Sequence, residues 1–321
     1  MPNLRPLTLV LALSGLFSST LCANPAPMTI AANQGPSTTA LHASTVAQPV
    51  RILASLPVTY GLGALLLKDS GVELQRAADA NLPGSRQSAY FSGRGAPALQ
   101  KLASQADAVI GLRSLWPDDP LYPMARRSNV RIVEVDAARP VDGSLPGIAV
   151  QPGKGVDGLN SQPWLSSNNL GRMADVIAAD LVRLAPEAKA KIESNLATLK
   201  QRLLKLSADS ETRLSQADNL AIASLSDRFD YLMGGLNLEV VKVDARADDA
   251  WTPEALEQLT RTLADNEVKV VLDHRQPTDP IKASIAAAGA RLVVLNGEEA
   301  DPLVGLETSI DQVLTALHAS L

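Results

Sequence analysis

The chain has 321 residues, of which 46% are hydrophobic and 20% charged, with a formal net charge of −5. That apolar content is enough for one large domain or two of about 100–150 residues, and it excludes disorder over most of the chain. Aromatic residues make up only 3%, and with a negative charge balance this excludes a nucleic-acid reader, which needs stacking rings and a basic face.

Residues 1–23 read as an export signal. Arg5 precedes an apolar run over 7–17 that is too short to span a bilayer and gives way to Ser18, Ser19 and Thr20. Leu21 and Ser19 occupy places where a lipid-anchoring signal wants a small and an aliphatic residue, so a soluble periplasmic protein is expected. Cleavage after Ala23 removes Cys22, the only cysteine, and with it any disulfide or thiolate chemistry. Residues 24–49, rich in Pro, Ala, Ser and Thr, read as a disordered leader that holds His42.

From residue 50 onward, short β-type runs alternate with helical patterns. The runs at 50–56, 72–78, 107–112 and 130–136 form one group, and those at 219–225, 237–244, 268–273 and 291–296 a second; helical patterns such as 97–106 and 253–266 lie between them. Alternation of this kind predicts parallel sheets covered on both faces. The expected fold is α/β, with two lobes, 50–166 and 217–321, each a four-stranded parallel sheet flanked by helices. Residues 167–216 carry no strand signal. Leu170, Met173, Ile177 and Leu181 recur at helical spacing, and after Pro186 the stripe resumes with Ile192, Leu196, Leu199, Leu203 and Leu206, predicting a long interlobe helix over about 187–216 that acts as a stiff strut.

Catalytic signatures are missing: there is no G-x-S-x-G elbow, P-loop, H-E-x-x-H or C-x-x-C. Gly93 and Gly95, and Gly153, Gly155 and Gly158, read as loop glycines. Asp118–Asp119 and Asp248–Asp249 read as loop or capping carboxylates, and His318 as a residue near a frayed helix end. The expectation is a binding protein and not an enzyme.

Four segments carry a resemblance. The stretch 82–112, LPGSRQSAYFSGRGAPALQKLASQADAVIGL, is similar to a segment with a G-x-D-P-H-x-Y motif followed by a helix ending L-x-x-A-D; SQPWLSSNNL (161–170) is similar to D-P-H-x-W-L-S. SLSDRFDYL (224–232) is similar to F-H-D-x-F/Y-x-Y-F, and VVLDHRQP (270–277) to the segment with a last, acidic ligand. These motifs belong to the substrate-binding proteins of zinc and manganese ABC importers, which the chain resembles over roughly residues 50–300. The framework is kept in Gly84, Tyr90, Trp164, Leu165, Ser166, Asp227 and Tyr231. The resemblance implies one ligand held between two lobes, a membrane permease as partner, and a monomer.

The ligand positions depart from that pattern. The three histidines of the family fall on Ser88, Gln162 and Ser226, and the carboxylate position on His274 beside Asp273. Zinc wants three or four N, S or carboxylate donors, and hydroxyl and amide oxygens suit harder cations. Asp227, Asp273 and His274 are the remaining metal candidates. Arg86, Arg228 and Arg275 lie within two residues of three of the four ligand-equivalent positions; they point either to solvent or into a site that would favour an anion through bidentate hydrogen bonds. Tyr90 and Trp164 either line that site or pack the interlobe region. The expected cargo is zinc, manganese or a metal–chelator complex; the alternative is a repurposed paralogue without metal binding that acts as an accessory protein.

Overall fold

The structure, a computed structural model, describes residues 48–141, 143, 145–150, 162–296 and 299–318. The signal and nearly all of the leader, with Cys22 and His42, and the glycines at 153, 155 and 158 lie outside the described residues. Everything described belongs to one unit that begins at Ala47.

The first lobe runs β1 (Arg51–Ala54), α1 (Pro57–Leu67), β2 (Glu73–Arg76), α2 (Gly84–Ser92), α3 (Ala96–Ala103), β3 (Ala108–Gly111), α4 (Leu121–Arg126) and β4 (Val133–Asp136). Two helices follow, α5 (Ser167–Leu184) and α6 (Lys189–Leu214). The second lobe runs β5 (Ala221–Ser224), α7 (Asp230–Gly235), β6 (Glu239–Val243), α8 (Pro253–Asp265), β7 (Val270–Asp273), α9 (Asp279–Ala287), β8 (Arg291–Val294) and α10 (Pro302–His318). The sheets have the orders β2-β1-β3-β4 and β6-β5-β7-β8, and every pairing is parallel. All eight strand signals thus correspond to strands, each shorter than its apolar run because the run's ends continue into the turns.

The central strands show why the sheets are covered on both faces. Ile52 and Ala54 of β1 and Ala108 and Ile110 of β3 point to one side, while Leu53 and Val109 point to the other, as a two-residue period requires. The second sheet repeats this with Ile222, Val270 and Leu272 on one face and Ala221, Ala223 and Val271 on the other. The first-named faces of both sheets share a single apolar core with α5, α6 and α10, so the lobes are joined by packing and not by the chain alone.

α6 is the predicted strut. Its 26 residues span about 39 Å at about 1.5 Å per residue, with no break at Leu199. Ile192, Leu199 and Leu203 are buried along one stripe, and Pro186 opens the short 3-10 turn before it. Asn195 donates from its amide to the carbonyls of Leu66 and Lys68 at 2.9 and 2.8 Å, tying the end of α1 to the strut. Arg202 grips Glu307 at 2.7 Å and Arg213 grips Asp311 at 2.7 Å, tying α10 to it. His318 is not frayed: its ring nitrogens lie 2.7 Å from the Leu314 carbonyl and 2.9 Å from that of Arg213.

Candidate functional site

In each sheet the chain leaves the first strand toward one edge and then crosses to the other side for the third. That reversal leaves a crevice at the carboxyl ends of β1 and β3, and an equivalent one at β5 and β7, where open parallel sheets place ligands. The loop after β5 carries Ser226–Arg228, and the end of β7 with the loop after it carries Asp273–Arg275, so the topology alone brings the second-lobe candidates together.

A cavity of 730 Å³ opens at the first-lobe crevice, bounded by Ser85 and Ser88 of α2, Trp116, Asp118, Gln162 and, from the second lobe, Arg228. It is contiguous through Leu56, Gly84, Trp116 and Gln162 with a narrower cavity of 290 Å³, which Trp164, Asn296 and Glu299 also line. Ser88 and Gln162 therefore face one space, and Arg228 reaches it from the opposite lobe.

The buried polar groups around this space have specific surroundings. Gln162 is 5% exposed and its Oε1 has no hydrogen-bond partner. Gln87 is fully buried and donates from Nε2 to the Ser55 carbonyl at 3.2 Å, leaving its own Oε1 and the Ser55 hydroxyl without partners. Asp119 accepts from the Leu112 N–H at 2.9 Å and the Leu121 N–H at 3.1 Å; burial pushes its carboxyl pKa up, against these two hydrogen bonds. Its role is to hold the β3–α4 loop that presents Trp116 and Asp118.

Ser226 is committed to the backbone. Its hydroxyl accepts from the Arg228 N–H at 3.3 Å and its carbonyl accepts from the Ser224 hydroxyl at 2.6 Å, so it caps the turn that orients Arg228. His274 donates its backbone N–H to Asp273 at 2.7 Å, and its Nδ1, 3.2 Å from the same carboxylate oxygen, is buried without a hydrogen bond. Burial holds the imidazole pKa down, with Arg228 and Arg275 adding repulsion that Asp273 and Asp227 oppose. Asp273 is itself buried, its carboxyl raised by burial, and its Oδ1 also accepts from the Arg275 N–H at 3.3 Å.

The remaining candidates separate. Arg86 is exposed and does not border the cavities: on α2 it sits about 160° round the helix from both Gly84 and Ser88, since each residue turns about 100°. Arg275 pairs with Asp248 at 2.9 Å on the surface. Tyr90 lies over Gly95 and meets Phe91 edge-on at 5.4 Å, a packing arrangement outside both cavities. Trp164 is 7% exposed, part of the shared core, and edge-on to Trp116 at 5.5 Å, with its rim on the narrow cavity. Trp116, Asp118 and Gln87 carried no motif signal; only the order of the loops around β3 and α2 marks them.

Among the described residues no three His, Cys, Asp or Glu side chains come together in a metal-holding group. The trio Asp227, Asp273 and His274 forms no such group: Asp273 is engaged by the backbone N–H groups of His274 and Arg275, and Asp227 is exposed. The described helices include none long and apolar enough to cross a membrane.

Solved structures share the fold. A mutant of FpvC from Pseudomonas aeruginosa aligns with a TM-score of 0.67 at 21% identity, covering 84% of this chain and all (100%) of that one. A zinc-bound deletion mutant of ZnuA aligns at 0.64 and 22%, covering 85% and 100%. Zn(II)-bound AdcA from Streptococcus pneumoniae aligns at 0.64 and 16%, covering 85% of this chain and 59% of its own. No curated protein matches by sequence. Residues 97–315 match the family model described as zinc-uptake complex component A, periplasmic, which spans most of both lobes. The chain therefore belongs to the family of periplasmic zinc-uptake component A proteins, which are binding proteins and not enzymes.

Proposed function

We propose that this protein is the periplasmic solute-binding component of an ABC importer, working as a monomer that captures a solute between its lobes and presents it to a membrane permease. The observation that carries this reading is the cavity at the switch point of the first sheet, which Arg228 of the second lobe also lines. A ligand touching both walls favours one interlobe geometry, and a permease reads such a geometry.

The structurally similar proteins hold Zn(II), Ni2+ or Mn2+. Here a bare divalent ion meets Ser88, the Gln162 amide, the single carboxylate of Asp118 and a cationic Arg228 in the wide cavity, while Asp119 is engaged by backbone N–H groups. Metal cargo on this chain is therefore carried in a chelator, and directly bound zinc is weak. Calorimetry on tag-free mature protein should show no zinc or manganese binding tighter than about micromolar, because each lost ligand of a four-donor site removes on the order of several kcal/mol. Nanomolar zinc binding would refute it and send attention back to Asp227, Asp273 and His274. The second reading, a repurposed paralogue, draws on the same lack of a donor cluster; a protein that captures no solute yet still engages the permease would establish it.

A further inference from the structure

Two features of the cleft are unlike an ion site. The first is size. A metal ion with its ligands leaves almost no empty volume, whereas the narrow cavity alone measures 290 Å³, room for about ten waters at about 30 Å³ each, and it opens into 730 Å³ more. Cavities of roughly 300–1,000 Å³ with a few placed polar groups fit small organic molecules. The second is lining. The narrow part is lined by Trp116, Trp164, Leu56 and Leu306 together with a few polar side chains. Those side chains are the Gln162 amide, 5% exposed and with an unpartnered oxygen, and Asn81, Asn296 and Glu299. The wide part carries Arg228.

We propose that the solute is an organic acid with a flat, largely apolar body, its body between Trp116 and Trp164 and the opposite wall, its anionic group toward Arg228, and an N–H or O–H donor on Gln162. The inference rests on the solute-binding reading above and names its substrate class. Each contact follows from ordinary chemistry. An indole face attracts a planar ring, and Trp116 and Trp164, edge-on to each other at 5.5 Å and 78°, both border the narrow cavity. A buried amide oxygen without a donor is costly in the empty protein and favourable once a ligand donor reaches it. Glu299 excludes a second anion from its part of the narrow cavity and favours a hydroxyl or amine there. A carboxylate on the wide side meets the guanidinium, the pairing that arginine makes best. A metal can ride on such a molecule without any protein ligand of its own.

The test uses the mature full chain with Trp251→Phe, so that fluorescence reports Trp116 and Trp164 alone. The probes are picolinate, phthalate, kynurenate and 2,3-dihydroxybenzoate, each alone and with equimolar zinc, against zinc chloride and manganese chloride alone. At least one acid, free or zinc-loaded, should change the fluorescence with saturation at or below about 100 μM. Gln162→Leu should weaken that binding about tenfold or more while leaving the thermal midpoint equal to or above wild type, since it removes a buried unpartnered amide. A purely structural Gln162 would show no such split. Submicromolar binding of zinc chloride alone, unchanged by Gln162→Leu, would overturn the organic-acid assignment and leave the solute-binding reading standing. If no acid and neither metal binds, and native mass spectrometry of protein from its own periplasm shows no retained mass, both readings fall.

Discussion

Gly61 sits on α1 where the first lobe meets the start of α10 from the second, and the seam has no room for a methyl group. A Cβ built at Gly61 would lie 2.5 Å from the Ala300 carbonyl oxygen and on the ring of Pro302. Neither neighbour can rotate away: one is backbone and the other a proline that fixes its own φ. In an open helix, Gly→Ala stabilises by about 1 kcal/mol through backbone entropy. Overpacking a closed seam costs about 1–3 kcal/mol, and a contact this short onto two rigid groups belongs at the upper end. Gly61→Ala should therefore destabilise by about 1–2 kcal/mol net. Gly171 in α5 is the internal control, because its added Cβ would find only the tip of Leu203 at 3.4 Å, an ordinary contact. Gly171→Ala should stabilise by up to about 1 kcal/mol. Urea unfolding at 25 °C reads both, as midpoint shifts of opposite sign at unchanged m. Two shifts of the same sign, or a Gly61→Ala protein at least as stable as wild type, would refute the claim that the lobes are seated on each other at this seam.

Arg228→Ala should weaken capture of any anionic solute by about tenfold or more, at about 1.5–3 kcal/mol per charge-assisted hydrogen bond. Arg202→Ala, which breaks only a half-exposed pair with Glu307, should leave binding unchanged and cost under about 1 kcal/mol of stability; equal effects of the two on binding would count against a site at Arg228. Asn195→Ala, removing two bonds to the end of α1, should cost about 1–2 kcal/mol in the same urea assay. His274 titrates in the folded protein below its ordinary 6.5, so as pH falls below 6.5 the unfolded chain takes up the proton first and stability declines through the folded pKa. The raised carboxyl of Asp273 acts with the opposite sign, holding stability that is lost as pH rises from 3.8 through its folded pKa. His274→Gln should flatten the decline of the thermal midpoint just below pH 6.5, and an unchanged slope would exclude His274 as its source.

The fold was legible because its signals are local and repeated. Most strands announce themselves as short runs rich in Val, Ile and Leu, the same four-strand order occurs twice, and the Leu stripe from Ile192 to Leu206 belongs to a single helix. The site was legible only in part. Motif alignment brought Ser88, Gln162 and Arg228 to one cavity because the loops after parallel strands converge whatever residues they carry. It could not say where a side chain points. Arg86 lies two residues from Ser88 and so falls on the far side of α2, while Ser226 turned inward to cap the Asp227–Phe229 turn instead of facing the cleft. Trp116 was invisible because a tryptophan in a Pro- and Asp-rich loop carries no periodicity; only the fold places it beside Trp164.

The same architecture constrains how the protein can bind. α6 is bonded at Asn195 to the first lobe and at Arg202 and Arg213 to the second, the two sheets share one apolar core across it, and Gly61 lets α1 abut α10 without a gap. Swinging the lobes apart would break this core, whose burial is worth about 25 cal/mol for every Å² of apolar surface. Large hinge opening is thus disfavoured, and movement is confined to small adjustments at the cleft rim. A bare ion suits such rigidity only when its donors are already converged, as a three-histidine site would be. Among the described residues no such donor cluster forms, and what the rigid frame holds in place is a preformed cavity beside two tryptophans. With wide closing disfavoured and no converging donor group among the described residues, the proposed solute would draw its affinity from its own shape and charge.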